Sequence, residues 1–339
     1  MALAKETVLG VLKGEVGGVV PASFWRHFAD NEFTDAFQKP AVIQKNLNGH
    51  RDYLQAVDVD FVKTMLDGYF PYPFRGVKDP KQAADLAKLQ PLTDDDPWIS
   101  QQADLARQQR ALAGDKPVFV TIFSPMYLFK WALIQHYVEP LKLADHRFAD
   151  LYHQDPQLVL HVLKVIGQDL GKVAAAVMKT GIDGIYYSTQ SVQDDRLDNP
   201  HFFSTVMEPA DQLVQERINA VSDLNILHIC GFAGAYNHLD WFKDYPLQVI
   251  NWASKTDGYS LAAGQKLFGG RPVLGGLDNS TKGVLYSGNK EQIQTAVQQL
   301  LDAAGTNGVI LGADCTVPRD INYDHLRWAI EAAHQFNRY

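Results

Sequence analysis

Short apolar runs alternate with amphipathic stretches along the chain. Several runs are continuously apolar, which is typical of strands covered on both faces in a parallel sheet. Apolar residues at three- and four-residue spacing predict helices over residues 158–179 and 290–304, which end near Gly181 and Gly305. The strand-like runs cover residues 19–25, 57–65, 117–124, 184–188, 225–229, 248–252, 272–277 and 308–311. This alternation predicts an α/β fold.

The number of strand-like runs favours a closed barrel over a doubly wound sheet. A dinucleotide-binding sheet would carry a glycine-rich turn after its first strand, whereas the glycines at positions 10, 14, 17 and 18 precede that run. We therefore predict one (β/α)₈ TIM barrel domain over residues 1–339, with an N-terminal extension. Residues 71–116 are polar, and we expect them to form a long βα insertion or a lid over the barrel mouth.

The composition narrows the class of protein. The chain has 339 residues, of which 46% are hydrophobic and 21% are charged, as in a packed globular protein. Its formal net charge of −8 argues against binding to nucleic acid or to an anionic membrane surface. The apolar runs are far shorter than the ~20 residues that span a bilayer, and the first residues show no signal-peptide pattern. We therefore expect a cytoplasmic protein without nucleic-acid or membrane partners.

Reactive side chains follow several of the predicted strands, where the active site of a barrel is built. The sequence contains two cysteines, Cys230 and Cys315, and each follows a strand-like run. His228 lies two residues before Cys230, so both side chains project to the same face of an extended segment. One imidazole and two thiolates suit zinc and leave a position open for substrate. The alternative is that both cysteines are buried core residues.

These residues also carry a family resemblance. The contexts Leu-His-Ile-Cys-Gly around His228 and Ala-Asp-Cys-Thr-Val-Pro around Cys315 resemble the uroporphyrinogen decarboxylase superfamily. Within it, the chain is most similar to the zinc-dependent corrinoid methyltransferases, which include the methylcobalamin:coenzyme M enzymes. The resemblance implies a (β/α)₈ barrel, one zinc ion per chain held by His228, Cys230 and Cys315, and transfer of a methyl group to the thiol of a small acidic substrate.

The methyl donor implied by this resemblance is a methyl-corrinoid that acts as a co-substrate and is not permanently bound. The sequence contains no Asp-x-His-x-x-Gly corrinoid-binding element. A corrinoid protein or free methylcobalamin would therefore present the methyl group. A homodimer is a further partner that the sequence leaves open.

The N-terminal half is similar to the decarboxylases of the same superfamily. Arg26 is the one arginine kept in the segment that matches the decarboxylase Arg-Gln-Ala-Gly-Arg-Tyr element, and Asp67 falls at the position of the essential aspartate. The alternative function is therefore metal-independent decarboxylation of uroporphyrinogen, a tetrapyrrole, with Asp67 as the catalytic group. Arg26, with Arg75 or Lys63, would bind its propionates. Against this, Asp314-Cys315-Thr316 replaces the decarboxylase Gly-His-Gly element.

Further polar residues are candidates for the substrate pocket. Arg26 could bind a substrate carboxylate or sulfonate in a bidentate way, and we expect it to follow the first strand at the barrel mouth. Tyr187 and Gln190 bracket the end of the fourth run, Asp278 follows the seventh, and we expect His27 to pack as an aromatic residue. Two other functions remain open: a catalytically idle barrel that binds a ligand, and a glycosidase. The carboxylates available to a glycosidase are Asp67, Glu208, Asp278 and Asp314.

Overall fold

The sheet is parallel throughout. The computed structural model describes residues 3–336, and within that range seven strands pair in chain order to form one curled parallel sheet. The strands are β1 (Val62–Thr64), β2 (Val118–Phe123), β3 (Gly184–Thr189), β4 (Ile226–Ile229), β5 (Val249–Trp252), β6 (Val273–Leu277) and β7 (Val309–Ala313). Nearly all of their residues are buried, which explains the continuous apolar runs and confirms the α/β class.

Helices connect the strands and cover the sheet. They are α1 (Lys5–Leu12), α2 (Ala41–Ala56), α3 (Ala83–Leu86), α4 (Pro97–Leu112), α5 (Pro125–Ala132), α6 (Lys142–Gln154), α7 (Pro156–Met178), α8 (Pro200–Phe202), α9 (Glu208–Asn219), α10 (Ser254–Asp257), α11 (Leu261–Leu267), α12 (Val284–Ser287), α13 (Lys290–Ala304) and α14 (Tyr323–Gln335). A π-helical segment, Phe203–Met207, joins α8 to α9. The two helices predicted most clearly, α7 and α13, are confirmed.

Side-chain caps explain where the main helices begin. Asp155 accepts the backbone N–H of Leu158 at the start of α7, and a proline follows it at the first helical position. Asn289 and Gln292 form a reciprocal capping box at the start of α13. Gly305, with φ of 76°, ends α13 in a conformation that disfavours any side chain. Gly305 thus ends α13 where the sequence predicts, whereas the two N-terminal caps come from the structure.

The first strand-like run does not form an eighth strand, so that part of the barrel prediction was wrong. Within residues 19–25 a single parallel bridge joins Ala22 to Leu311 of β7. Pro21 has no N–H to donate, and the N–H of Ala22 binds the carboxylate of Asp60 at 2.7 Å instead of a strand carbonyl. On the same side, away from β7, the carbonyl of Ala22 accepts the backbone N–H of Asp60 at 3.0 Å. An extended segment thus lies between the last strand and the approach to the first.

Residues 71–116 do not cover the mouth of the sheet. They contain α3 and α4, and α4 packs against α2 and α7 on the outside of the sheet. Leu86, Leu92 and Trp98 are buried there. Among the described residues, none from this segment lines the cavity described below. The structure therefore offers no support for a lid, and an insertion relative to other barrels stays a prediction.

The length and composition of the helices bear on membrane insertion. Across residues 3–336, none of the helices combines the length and the apolar character needed to cross a bilayer.

Candidate metal centre

A cavity of about 420 Å³ opens at the carboxyl ends of the strands. This volume is typical of a site for a small molecule. Residues that end or follow strands line it, and so do side chains from the segment before α2 and from the segment after β7. One wall is aromatic and includes Phe33, Phe70, Phe123, Tyr127 and Phe232. The site therefore lies where the sequence places the reactive strand ends.

His228, Cys230 and Cys315 meet at this cavity. His228 lies on β4, Cys230 follows β4 directly, and Cys315 comes two residues after β7. One ligand atom from each residue lies within 4.8 Å of the others. The N–H of Cys230 binds the carbonyl of Thr189 on β3 at 2.8 Å, which extends the sheet pairing by one residue and holds the sulfur on the face of His228. The i, i+2 argument from the sequence thus describes the observed geometry.

The distances among the donor atoms fit a tetrahedral zinc site. Cys230 Sγ lies 3.9 Å from Cys315 Sγ, and Cys315 Sγ lies 3.5 Å from His228 Nε2. Ligand bonds of ~2.3 Å to sulfur and ~2.0 Å to nitrogen at tetrahedral angles give separations of about 3.8 and 3.5 Å. Among the described residues, the buried His228 Nδ1 has no hydrogen-bond partner. The donor set and its spacing therefore fit zinc.

Neighbouring groups hold the two sulfurs in different electrostatic states. The side-chain hydrogen bond with Cys230 holds the pKa of the Cys315 thiol well below its usual range, and the neighbouring imidazole of His228 contributes. The pKa of Cys230 is raised correspondingly by that bond and by burial. The sulfur of Cys230 also accepts the N–H of Phe232 at 3.4 Å and a hydrogen bond from Tyr127. The surroundings therefore favour a thiolate at Cys315 over one at Cys230.

Asp314 follows β7 and lines the cavity beside Cys315. Its carboxylate accepts the hydroxyl of Ser254 at 2.8 and 2.9 Å and the backbone N–H of Gly276 at 3.3 Å. Burial raises the pKa of Asp314 to about 7, although these hydrogen bonds act in the opposite direction. Asp314 is thus held by the loops around the donor set.

His27 and Asp67 form a hydrogen-bonded pair at the cavity. His27 lines the cavity, and its Nδ1 lies 2.6 Å from Asp67 Oδ1. The second oxygen of Asp67 accepts the N–H groups of Phe28 and Ala29 at 2.8 and 2.9 Å. Burial would raise the pKa of Asp67, but the neighbouring imidazole of His27 and these hydrogen bonds hold it below its usual value. Asp67 therefore holds His27 in a fixed orientation at the cavity. The sequence analysis expected His27 only to pack as an aromatic residue.

Several residues predicted at the site lie elsewhere. Arg26 donates to the hydroxyl of Tyr323 at 3.0 Å and stacks over Phe28, outside the cavity. Asp67 reaches the cavity only through His27. Asp278 does line the cavity, where its carboxylate lies 3.1 Å from Lys255 Nζ.

Tyr187 and Gln190 also point away from the cavity. The hydroxyl of Tyr187 donates to buried Asp211 at 2.8 Å on α9, so it belongs to the packing between sheet and helix. Gln190 donates to the carbonyls of Cys230 and Phe232 at 3.2 and 2.8 Å, and so braces the loop that carries Cys230. Of the remaining glycosidase candidates, Glu208 is on α9 and does not line the cavity.

Three residues that the sequence analysis did not place at the cavity do line it. Tyr186 projects inward where Tyr187 projects outward, because adjacent strand residues face opposite ways. Tyr186 lies two positions before Ser188, on the same face of β3, and Ser188 is the register partner of His228. This spacing could have identified Tyr186 from the sequence. Arg319 and Glu32 form an ion pair at the rim, and the hydroxyl of Tyr137 donates to Glu32 at 2.7 Å. No sequence signal links these distant positions.

The comparisons with known proteins agree with this arrangement. The sequence model of the uroporphyrinogen decarboxylase (URO-D) family matches residues 59–336. The chain belongs to the URO-D family. This confirms the resemblance found in the sequence. No curated protein sequence matches the chain significantly.

Several solved structures share the fold of this URO-D family chain although their sequences differ widely from it. A methyltransferase from Methanosarcina mazei is 16% identical, with a TM-score of 0.70 over 99% of each chain. A B12-independent methionine synthase from Shewanella sp. W3-18-1 is 14% identical, with a TM-score of 0.54 over 94% of this chain and 96% of its own. A putative vitamin-B12-independent methionine synthase from Listeria monocytogenes is 15% identical, with a TM-score of 0.53 over 92% and 98%. At these identities the likeness concerns the fold.

Proposed function

We propose that the chain transfers a methyl group from a methyl-corrinoid to the sulfur of a small acidic thiol, with one zinc ion held by His228, Cys230 and Cys315. The observation that carries the proposal is the convergence of these three soft donors at the base of a small-molecule cavity. Membership of the URO-D family and the shared fold of a methyltransferase support it. The donor set has a formal charge of zero once two thiolates and a divalent ion are counted.

The residues around the donors have defined tasks in this proposal. A zinc ion bound there would acidify the substrate thiol and keep its sulfur nucleophilic. Tyr127 and the N–H of Phe232 donate to Cys230 and fix its sulfur. Gln190 fixes the same loop by donating to the carbonyls of Cys230 and Phe232. The aromatic wall excludes water from the reacting sulfur.

The proton and the methyl group follow separate routes. The Nδ1 of His27 is held by Asp67, so its Nε2 is available to accept the proton that the substrate thiol loses. The sulfur then attacks the methyl carbon, a C–S bond forms as the Co–C bond breaks, and the electron pair of that bond stays on cobalt. In this proposal the donor presents its methyl group at the mouth of the cavity, free or on a corrinoid protein.

Uroporphyrinogen decarboxylation is less well supported by the geometry. Both oxygens of Asp67 are engaged by His27 and by backbone N–H groups, and neither Asp67 nor Arg26 lines the cavity. Arg75 forms an ion pair with Asp96 and also lies outside. Of the three cations that the sequence analysis named for binding the propionates, only Lys63 lines the cavity in the described part of the chain.

Elemental analysis combined with a transfer assay tests the proposal. Protein purified without chelators should carry about one zinc ion per chain, and Cys230→Ser and Cys315→Ser should each lose most of it. With methylcobalamin and a panel of small acidic thiols, mass spectrometry should detect the methyl thioether for wild type but not for these variants. Metal-free wild type under gentle purification would overturn the proposal. Porphyrin products from uroporphyrinogen would favour the decarboxylase alternative.

A further inference from the structure

Lys63 is a buried cation that faces the cavity without a counterion. It is the central residue of β1, is 6% exposed and lines the cavity. Its Nζ lies 3.3 Å from the thioether sulfur of Met65. The rings of Tyr186 and Trp25 have their centres 4.9 and 5.7 Å away. Among the described residues, no carboxylate forms an ion pair with it. Ring faces and a sulfur therefore replace the water that an exposed ammonium would have.

The other lysine that is buried as deeply is paired. Lys130 is fully buried, and its Nζ lies 2.8 Å from Asp145 Oδ1. Lys255, which also lines the cavity, is largely exposed and still lies 3.1 Å from Asp278. An ammonium buried without a partner is costly, because its Coulomb attraction to an opposite charge normally offsets the loss of water. Lys63 thus departs from the way this chain handles its other buried charges.

The donor set would not supply the missing negative charge. Two thiolates and a divalent ion cancel, so a loaded site leaves Lys63 uncompensated. Burial lowers the pKa of Lys63 to about 8, and the neighbouring Cys315, Asp67 and Cys230 act in the opposite direction. Asp67 itself is fully engaged by His27 and the backbone. A negative charge from outside the chain is therefore the natural partner.

A second unsatisfied group lines the same cavity. The Oγ of Ser188 is buried and has no hydrogen-bond partner in the described part of the chain. Ser188 lies two residues beyond Tyr186 on the same face of β3, and it is the register partner of His228. By contrast, the hydroxyl of Thr121, which also lines the cavity, donates to the Thr64 carbonyl at 2.8 Å. A buried hydroxyl without a partner and an ammonium without a counterion thus line the same cavity, on β3 and β1.

We propose that Lys63 Nζ and Ser188 Oγ bind the anionic end, a carboxylate or sulfonate, of the molecule that occupies the cavity. Both groups donate to an anionic oxygen, and the rings of Tyr186 and Trp25 keep competing water away. That the molecule is a thiol rests on the proposed function, whereas the anion site rests on these two residues. The site would select acidic acceptors over neutral ones of the same length.

Calorimetric titration of the full-length protein with ethanesulfonate and propionate tests this site. Neither ligand contains a thiol, so the result does not depend on methyl transfer. Wild type should bind at least one of them saturably, and the uncharged amide analogues should not bind. Lys63→Met keeps the length and removes the charge, and it should weaken binding about 10- to 100-fold. Ser188→Ala should weaken it about 3- to 10-fold.

Two controls make the outcome decisive. Lys13→Met removes a charge paired with Asp223 outside the cavity, and it should bind like wild type. Thermal unfolding should show Lys63→Met folded, because it removes an unpaired buried charge; if it is not, Ser188→Ala carries the test. Absence of saturable binding by wild type, or wild-type affinity in both variants, would overturn the proposal. Anion binding that depends on Lys63 in a protein without methyl transfer would defeat only the proposed function.

Discussion

Cys230 Sγ lies 3.9 Å from Cys315 Sγ, although 85 positions separate the two residues in the chain. The parallel sheet brings them together, because each follows the carboxyl end of its strand. The hydrogen bonds that reach Cys230 from Tyr127 and Phe232 are made to the sulfur itself. The geometry of the pair therefore depends on groups that are not ligands.

Tyr127→Phe should weaken zinc binding by about tenfold, because the variant removes a hydrogen bond to a ligand sulfur and leaves the ligands in place. Competition with a chromophoric chelator measures the affinity. Tyr53→Phe is the matched control, since it removes a buried hydroxyl that donates to the Phe24 carbonyl at 2.8 Å and touches no donor. Equal zinc affinity in Tyr127→Phe and wild type would contradict the assignment.

His27→Gln should lower kcat for thiol methylation by about 10²- to 10⁴-fold, the usual contribution of a group that moves a proton. Zinc content should not change, because His27 is not among the donors. Asp67→Asn should cause a smaller loss and alter the pH dependence of kcat, since it acts by orienting His27. A rise in KM alone, with kcat and its pH profile preserved, would show that the pair serves binding instead.

Asp211→Asn should change how stability depends on pH. Burial raises the pKa of Asp211 to about 6, against hydrogen bonds from Thr189, Tyr187 and Tyr245. A carboxyl whose folded-state pKa is raised stabilises the fold most below pH ~4, and that contribution is lost as the pH rises through about 6. The wild-type free energy of unfolding should therefore fall, relative to Asp211→Asn, by about 3 kcal/mol between these limits.

Urea unfolding of both proteins at several pH values measures that difference. A common background from other carboxyls cancels in the comparison, because Asp257 and Asp314 are present in both chains. A constant difference between pH 4 and pH 7 would show that Asp211 titrates at its ordinary pKa in the folded protein.

Arg26→Ala should leave KM for an acidic thiol within about twofold of wild type. Its guanidinium binds the Tyr323 hydroxyl and stacks on Phe28, so the loss should appear as about 0.5–1.5 kcal/mol of stability. Steady-state kinetics and urea unfolding separate the two effects. A tenfold rise in KM would instead restore the substrate-binding role expected from the sequence.

Local rules were sufficient to bring the three candidate donors together and insufficient for the rest of the pocket. His228 and Cys230 share a face because of their i, i+2 spacing, and Cys315 joins them because parallel strands end at one edge. Tyr187 was expected at the pocket, but the neighbouring Tyr186 lines it, because adjacent residues of a strand face opposite ways. The direction of Arg26 depends on Tyr323, a contact across almost the whole chain that no local pattern encodes.

The bridge between Ala22 and Leu311 also constrains how the protein can be made. The N-terminal segment can form this bridge only after β7 has been synthesised, because its partner lies near the other end of the chain. Until then the free edges of β1 and of the growing sheet are open to pairing with other chains. The contact that closes the sheet therefore forms last, and a chain truncated before residue 309 would lack it and leave strand edges open to other chains.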